Sequence, residues 1–311
     1  MSLPTHSQLE ALINRVKHGI STVELVHAPH NRWPYHRERP STPPLKISVL
    51  DSSFNPPTRA HLALASLPPQ HHAPDSSYSD FDARILVLSV RNVDKGLKPS
   101  DATYAQRLEM MIRLATDLQT SSQTDNRDAN VGVAIIDEPT FVGKARILTD
   151  FLQQRTSSLS APSPDFVVPT AYGTPTPSLE LTFLVGMDTL DRILAPRYYP
   201  SLSDMRTYLK AFMATSRLVC ARRVIPGELR ARTDEKEKEI ESRAHQYMDL
   251  ERLAIVDLEG DIESYSSSEV RRRIGEGDQE LWRTMVTGSI AEYIVAQGLY
   301  QPGDATSAAH H

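Results

Sequence analysis

A doubly wound α/β domain, with a mostly parallel sheet and helices on both faces, is the fold class this sequence predicts. Three observations carry it. Six runs rich in aliphatic and β-branched residues recur along the chain: Leu45–Leu50, Arg84–Val90, Val131–Asp137, Leu181–Val185, Arg217–Ala221 and Leu253–Leu258. Helical periodicity or a long polar insert separates each from the next, an alternation that suits a parallel sheet. The chain has 311 residues, 40% hydrophobic and 23% charged, enough for a large core in one domain with insertions or in two domains.

Residues 6–20 place Leu9, Leu12, Ile13, Val16 and Ile20 at helical spacing, which predicts an amphipathic packing helix ahead of the first strand. With the Pro-rich connector from Pro34 to Pro44 it makes an N-terminal segment, 1–44. Residues 45–300 form the main domain and 301–311 a tail. Three stretches, 66–80, 120–130 and 156–178, are polar or rich in Ser, Pro and Thr and read as surface insertions without a second core. Replacing 156–178 by a short Gly/Ser linker is therefore expected to leave the melting temperature little changed. Asp234–Arg243 alternates charges at spacings that pair on a solvated helix.

Charge and cysteine content narrow the function classes. Thirty-four Lys and Arg against 39 Asp and Glu give a net charge of -5, which does not suit a surface coating nucleic acid or an anionic membrane. An anion must then be held by a local site. Cys220 is the single cysteine, so no intramolecular disulfide or Cys-based zinc cluster can form, and a reducing compartment is expected. Glu10, Arg15 and Lys17 interrupt the N-terminus where a signal peptide needs an uncharged run, and no stretch reaches the roughly 18 apolar residues of a membrane span. A soluble intracellular protein is expected, cytoplasmic, with nuclear residence and homo-oligomerisation left open. His71-His72 and His310-His311 lack spaced partners and read as polar surface, not as metal sites.

Two helix starts carry the chemistry. The first strand runs into Asp51-Ser52-Ser53-Phe54-Asn55-Pro56-Pro57-Thr58-Arg59-Ala60-His61-Leu62. With Pro57 at the first helical position, the turn brings backbone N–H groups and a positive dipole end to the C-terminal edge of the sheet. His61 then lies about one turn into the helix, within reach of a bound anion. An ordinary strand-to-helix turn has the same outline. About 200 residues on, Tyr265-Ser266-Ser267-Ser268-Glu269-Val270-Arg271 contains a capping box, Ser266-x-x-Glu269, with an arginine one turn inside. That arrangement grips phosphate oxygens or simply caps a helix.

The first of these segments resembles the nucleotidyltransferase signature Gly-x-Phe-Asp/Asn-Pro-x-His/Thr-x-x-His, in the form used by nicotinamide and nicotinate mononucleotide adenylyltransferases. Ser52 or Ser53 stands where that family most often has glycine, and Thr58 replaces its first histidine. The second is similar to the family's Ile-Ser-Ser-Thr-x-Ile/Val-Arg. Looser likenesses lie between them in family order. Lys95, before Gly96-Leu97 and with Lys98 as the substitute, matches a phosphate-contacting lysine. Tyr104–Met110 matches the family's Arg-x-x-Met helix, which lines the nucleotide cleft and on its own reads as core packing. Phe141 falls where the family stacks an aromatic residue on the pyridine ring, although core packing explains it equally. Gly186-Met187-Asp188 matches Gly-x-Asp, with Asp188 suited to ribose hydroxyls. Pro196–Tyr199 is similar to the fungal branch, and Tyr293-Ile294 with Leu299-Tyr300 matches the last family helix, a structural element.

The resemblance implies a Rossmann-like fold and an adenylyltransferase that joins nicotinamide mononucleotide to the AMP moiety of ATP, giving NAD and pyrophosphate. It implies His61, Lys95 and Arg271 as catalytic. ATP would be held by Ser52, Ser53, Phe54, Thr58, His61, Ser267, Ser268 and Arg271, and the mononucleotide by Asn55, Phe141, Gly186 and Asp188. Mg²⁺ is expected with ATP, without a dedicated protein cage. The rivals are a transferase of the same fold acting on another phosphate, such as phosphopantetheine or choline phosphate, and a low-turnover nucleotide-binding or ATP-hydrolysing regulator. Preference for the amide or the acid mononucleotide stays open.

Overall fold

The computed structural model describes residues 3–36, 44–69, 80–91, 100–124, 129–160, 178–222, 229–258 and 265–301. It opens with α1 (His6–Lys17), capped by a reciprocal pair: the Gln8 N–H donates to Thr5 Oγ1 and the Thr5 N–H to Gln8 Oε1. Leu9, Ile13 and Val16 are buried. The helix stops at His18, before Gly19 at φ +68, so Ile20 leaves the apolar stripe and is exposed. A strand that the periodicity did not reveal follows, β1 (Val23–His27), paired antiparallel with a later strand.

The six predicted strands are all present: β2 (Leu45–Asp51), β3 (Ala83–Ser89), β4 (Val131–Ile136), β5 (Leu179–Gly186), β6 (Ser216–Arg222) and β7 (Leu253–Asp257). They pair in parallel in one seven-stranded sheet of order β1-β4-β3-β2-β5-β6-β7, with β1 as the antiparallel edge. Leaving β1 aside, the strand order reverses between β2 and β5. The chain leaves the C-terminal ends of these two strands in opposite directions, toward β3 and toward β6, and open α/β sheets bind ligands in the crevice formed at such a point. The fold is thus a Rossmann-like α/β fold.

Helices cover both faces. On one side α2 (Arg59–Ser66), α3 (Tyr104–Thr124), α8 (Ser267–Gly275), α9 (Leu281–Thr284) and α10 (Gly288–Ala296) join α1 over Leu50, Leu86, Val133, Leu184 and Val219. On the other, α4 (Phe141–Ser160), α5 (Met187–Ile193), α6 (Leu202–Thr215) and α7 (Leu229–Tyr247) pack on Ile47, Val49, Ile85, Ala134 and Phe183. Alternate residues of each strand feed the two cores, which is why the strands read as nearly continuous apolar runs.

All three predicted insertions begin within helices, the first at Ser66, the last residue of α2. α4 continues through Ser160 and Thr156 is fully buried, its hydroxyl donating to the Leu152 carbonyl at 2.8 Å. α3 runs on to Thr124, and Ala129 and Asn130 are buried. The remaining parts of these stretches, 161–177 and 125–128, and residues 70–79, lie outside the described residues. A linker exchange that spares the core therefore starts after Ser160, because one starting at Thr156 removes the last turn of a packed helix. Arg84, buried inside β3, donates to the Ala65 and Leu67 carbonyls at 2.7 and 3.0 Å and pairs with Asp80 at 2.6 Å. It fixes the end of α2 to the sheet.

Trp33 packs on one face of the sheet over Gly132 of β4. Its indole N–H donates to the Asn130 carbonyl at 3.2 Å, and the Arg155 guanidinium donates to the Trp33 carbonyl at 2.6 Å. A Cβ on Gly132 would stand 2.7 Å from the Trp33 ring. Gly132→Ala is expected to destabilise by about 1–3 kcal/mol through this overpacking, lowering the melting temperature by several degrees. An unchanged melting curve would mean that Trp33 can move aside.

Candidate functional site

The site is built on the turn after β2. The Ser52 N–H still donates to the Val87 carbonyl of β3 at 3.3 Å, and beyond it the chain leaves the sheet. Phe54 is fully buried and sits at φ 45, a conformation that costs a bulky residue about 1–3 kcal/mol. Three donors from two distant helices hold the turn in place. Arg107 of α3 donates to the Ser53 carbonyl at 3.4 Å, Arg271 of α8 donates to the Asn55 carbonyl, and the Ser267 hydroxyl donates to the Pro56 carbonyl at 2.7 Å. The carbonyl and N–H of a trans peptide point in opposite directions, so pinning the Ser53 carbonyl turns the Phe54 N–H away from Arg107. Among the described residues no protein acceptor meets the N–H of Ser53 or Phe54. Two adjacent amides are thus left for an anion.

Pro57 does not start the following helix, contrary to expectation. Thr58 is the N-cap and α2 begins at Arg59, which places His61 at the third helical position. The Thr58 N–H donates to His61 Nδ1 at 3.1 Å, with Thr58 Oγ1 2.9 Å from the same nitrogen. The imidazole thus takes the role that glutamate or glutamine has in a capping box. Accepting that bond leaves Nδ1 without a proton, so Nε2 carries it, and Nε2 lies 2.9 Å from Ser52 Oγ. Thr58, standing where the family motif has a histidine, acts through His61. It fixes the tautomer that directs a ring N–H donor toward the turn.

At the second helix start, Ser266 caps α8 by accepting the Glu269 N–H at 3.1 Å. Glu269 does not complete the capping box. Its carboxylate pairs with Arg272 at 2.6 Å and Arg273 at 2.7 Å, which hold it below the usual carboxylate range. Arg271 points the other way, onto the β2 turn. One nitrogen donates to the Asn55 carbonyl, another lies 3.4 Å from Ser268 Oγ, and Nε is 3.8 Å from Asp101. Ser268 is exposed beside it, whereas the Ser267 hydroxyl proton is committed to the turn.

Asn55 requires a correction. It is 3% exposed, its amide nitrogen donates to Asp101 at 2.7 Å, and its amide oxygen accepts from the Ala102 N–H at 3.1 Å and the Tyr300 hydroxyl at 2.9 Å. A side chain so engaged holds the turn and does not present itself to a mononucleotide. Burial pushes the Tyr300 phenol up, so it stays a donor at ordinary pH.

On the other face of the same sheet edge lie Phe141, the first residue of α4, and Gly186 and Asp188 at the start of α5. A Cβ on Gly186 would meet nothing within 4 Å, so the space before it is open to a ligand. Asp188 is exposed in the first turn of α5. Phe141 is half-buried, edge-on to Phe183 at 6.0 Å, with Lys144 Nζ 5.1 Å from its ring centroid. Core packing accounts for much of this ring. Asp51, the last residue of β2, forms a 2.5 Å ion pair with Lys144, and both side chains are nearly buried. Lys144→Met is expected to cost about 3–5 kcal/mol by leaving the Asp51 carboxylate unpaired, and Asp51→Asn added to it should recover most of that loss. A double variant no more stable than the single one in urea unfolding would refute this coupling. Lys95 and Lys98 lie outside the described residues.

The structure therefore gathers Ser52, Ser53, Phe54, Asn55, Thr58, His61, Ser267, Ser268 and Arg271 at one junction and sets Phe141, Gly186 and Asp188 on the opposite face of the same edge. Sequence reasoning missed Asp101, and it did not assign Arg107 or Tyr300 to the site. Asp101 has no motif to mark it. Arg107 was visible only as part of the helix that the resemblance sets along the nucleotide cleft, without a role of its own, and Tyr300 only as part of a terminal packing motif. Burial lowers the Arg107 pKa, the Asp101 charge opposing this, and its Nε donates to the Ala102 carbonyl at 2.9 Å. Two guanidiniums facing one carboxylate leave excess positive charge beside the amides of the turn.

No family model matches the chain. A curated protein of Schizosaccharomyces pombe (strain 972 / ATCC 24843), named "Putative nicotinamide mononucleotide adenylyltransferase", is 28% identical over 255 residues, covering 80% of this chain and 83% of the relative. A solved structure of Plasmodium falciparum nicotinic acid mononucleotide adenylyltransferase complexed with APC has 12% identity and a TM-score of 0.44, over 82% of this chain and 97% of that one. Among the described residues, no helix is long and apolar enough to cross a membrane.

Proposed function

We propose that the chain is a member of the nicotinamide/nicotinate mononucleotide adenylyltransferase family of nucleotidyltransferases, supported by its 28% identity to a curated relative of that name over 80% of its length, and that it joins nicotinamide mononucleotide to the AMP moiety of ATP. A 5'-phosphate oxygen of the mononucleotide attacks the α-phosphorus, the bond to the β-phosphate oxygen breaks, and NAD and pyrophosphate leave. Such a displacement needs alignment and charge stabilisation more than covalent help.

In this reading the N–H groups of Ser53 and Phe54 and the Nε2–H of His61 donate to phosphate oxygens. Arg271 supplies fixed positive charge at the start of α8, with Ser268 beside it, and Lys95 is assigned to the same phosphates. Ser52 and Thr58 orient His61, and Ser267 holds the turn. Gly186 and Asp188 receive the mononucleotide ribose, with Phe141 at the edge of the ring site. The observation that carries the reading is the histidine: the Thr58 N–H on Nδ1 fixes the tautomer whose Nε2 is the donor.

Among the described residues no group of three or more His, Cys, Asp and Glu is placed to hold a metal ion. The donors at the turn are N–H groups and guanidiniums, which bind phosphate and not a cation, so Mg²⁺ fits here only as part of the ATP complex. Carried in that way, it offsets phosphate charge.

The test incubates the purified chain with Mg-ATP and either mononucleotide and separates the products. NAD and pyrophosphate in equal amounts are expected from the amide substrate. Formation of ADP and phosphate, with or without the mononucleotide, would refute the assignment.

A further inference from the structure

The carboxylate of Asp101 belongs to no motif, yet it sits where the β2 turn, α3 and α8 meet. It lies just before α3, its side chain is 13% exposed, and three groups converge on it. Asn55 Nδ2 is 2.7 Å from Oδ1, Arg107 is 3.5 Å from Oδ2, and Arg271 Nε is 3.8 Å from Oδ1. Each of these three residues also governs the turn directly: Arg107 holds the Ser53 carbonyl, Arg271 holds the Asn55 carbonyl, and Asn55 is part of the turn. The next residue, Ala102, repeats the pattern with its backbone, its carbonyl accepting from Arg107 and its N–H donating to Asn55.

We infer that Asp101 is a positioning residue for adenylyl transfer: it spaces the Arg107 and Arg271 guanidiniums so that each pins one carbonyl of the 53–55 turn, and thereby aims the Phe54 amide at the nucleotide phosphates. The inference rests on the adenylyltransferase reading for the reaction it serves, but not for the geometry it explains. With one carboxylate between two arginines, the group has two opposed tasks. Its charge keeps two like charges together in a partly buried place, and the same charge weakens their pull on an anion.

Those tasks separate in kinetics. Asp101→Asn keeps an oxygen for the Asn55 amide and removes the charge. ATP should bind as tightly as before or several-fold more tightly, because net positive charge rises, while kcat falls at least 10-fold because the two guanidiniums, no longer held by a shared charge, repel each other and shift off the carbonyls they pin. A purely structural carboxylate would lower the melting temperature and the active fraction but leave kcat per folded molecule, determined by active-site titration, unchanged. Arg107→Lys provides a second route if Asp101→Asn fails to fold. A single ammonium can neutralise Asp101 but cannot also span the Ser53 and Ala102 carbonyls, so kcat should again fall with KM for ATP nearly constant.

Binding of α,β-methylene-ATP followed by ³¹P NMR gives a readout without turnover. The bound α-phosphorus resonance should move toward its free position in both variants while the Kd stays within a few-fold of wild type. Wild-type kcat and an unshifted bound resonance in both variants would overturn the role of Asp101. Failure of the unmodified chain to form NAD would instead defeat the adenylyltransferase reading, and the resonance comparison would still decide the positioning claim.

Discussion

His61→Ala is expected to lower the rate of NAD synthesis by about 100-fold or more, while the protein stays folded. The loss follows from the removal of a donor whose proton is already placed on Nε2, so no bound water can reproduce both its direction and its tautomer. The stability cost is that of a helix-start bond, about 1 kcal/mol, since the Thr58 N–H loses its acceptor and the tilted contact between His61 and the Phe54 ring, with centroids 5.3 Å apart, disappears. His61→Gln separates the two effects. Its side-chain oxygen can accept the Thr58 N–H, as in an ordinary capping box, but its amide NH2 sits on a flexible chain and is not held in the direction of the rigid imidazole Nε2–H. Stability should return without activity. An active His61→Ala enzyme, or a His61→Gln enzyme whose activity recovers along with its melting temperature, would make the residue a cap alone.

Arg271 carries the second large effect. As a mere surface cation near the positive end of α8 it would be slightly unfavourable, and its removal neutral or mildly stabilising. The geometry argues otherwise, since its guanidinium bridges Asn55, Ser268 and Asp101, which lie on three separate elements. Arg271→Lys should lose at least 10-fold in kcat/KM, because an ammonium reaches one of these partners at a time, and Arg271→Ala should lose more. Both should lose some stability as well, about 1.5–3 kcal/mol for a charged hydrogen bond to a carbonyl. The decisive comparison is steady-state kinetics normalised to folded protein. Wild-type kcat/KM in either variant would remove Arg271 from the site.

The six parallel strands were legible because burial on both faces writes each as an apolar run. The strand β1 was not, because Val23-Glu24-Leu25-Val26-His27 is short and half polar, and its place is set by pairing with β4. The two helix starts could be read from residue type and spacing, and their pairing at one site came from the family resemblance. What joins them could not be read. Asp101, Arg107 and Tyr300 act through tertiary contacts 46 to 245 residues away in sequence, and local pattern does not encode such contacts. The start of α2 was misplaced for a related reason. Proline suits the first helical position, but the imidazole of His61 competes for the cap and moves the boundary to Thr58. Glu269 likewise has the correct spacing for a capping box and is drawn off by two arginines.

The hydrogen bond from Tyr300 to Asn55 spans 245 residues, which has a consequence for biosynthesis. The first half of the sheet can form soon after it is made, but the turn cannot be locked until Tyr300 has been added. At about 5–20 residues per second, that interval is about 10–50 s. During it the nascent chain carries a β2 turn with an unfavourable Phe54 backbone and none of the donors from α8 to hold it. Competence to bind nucleotide is thus acquired late and all at once, so a prematurely terminated chain with a well-paired sheet would still lack an organised phosphate site. Substrate-dependent protection from proteolysis should accordingly distinguish finished molecules from arrested ones.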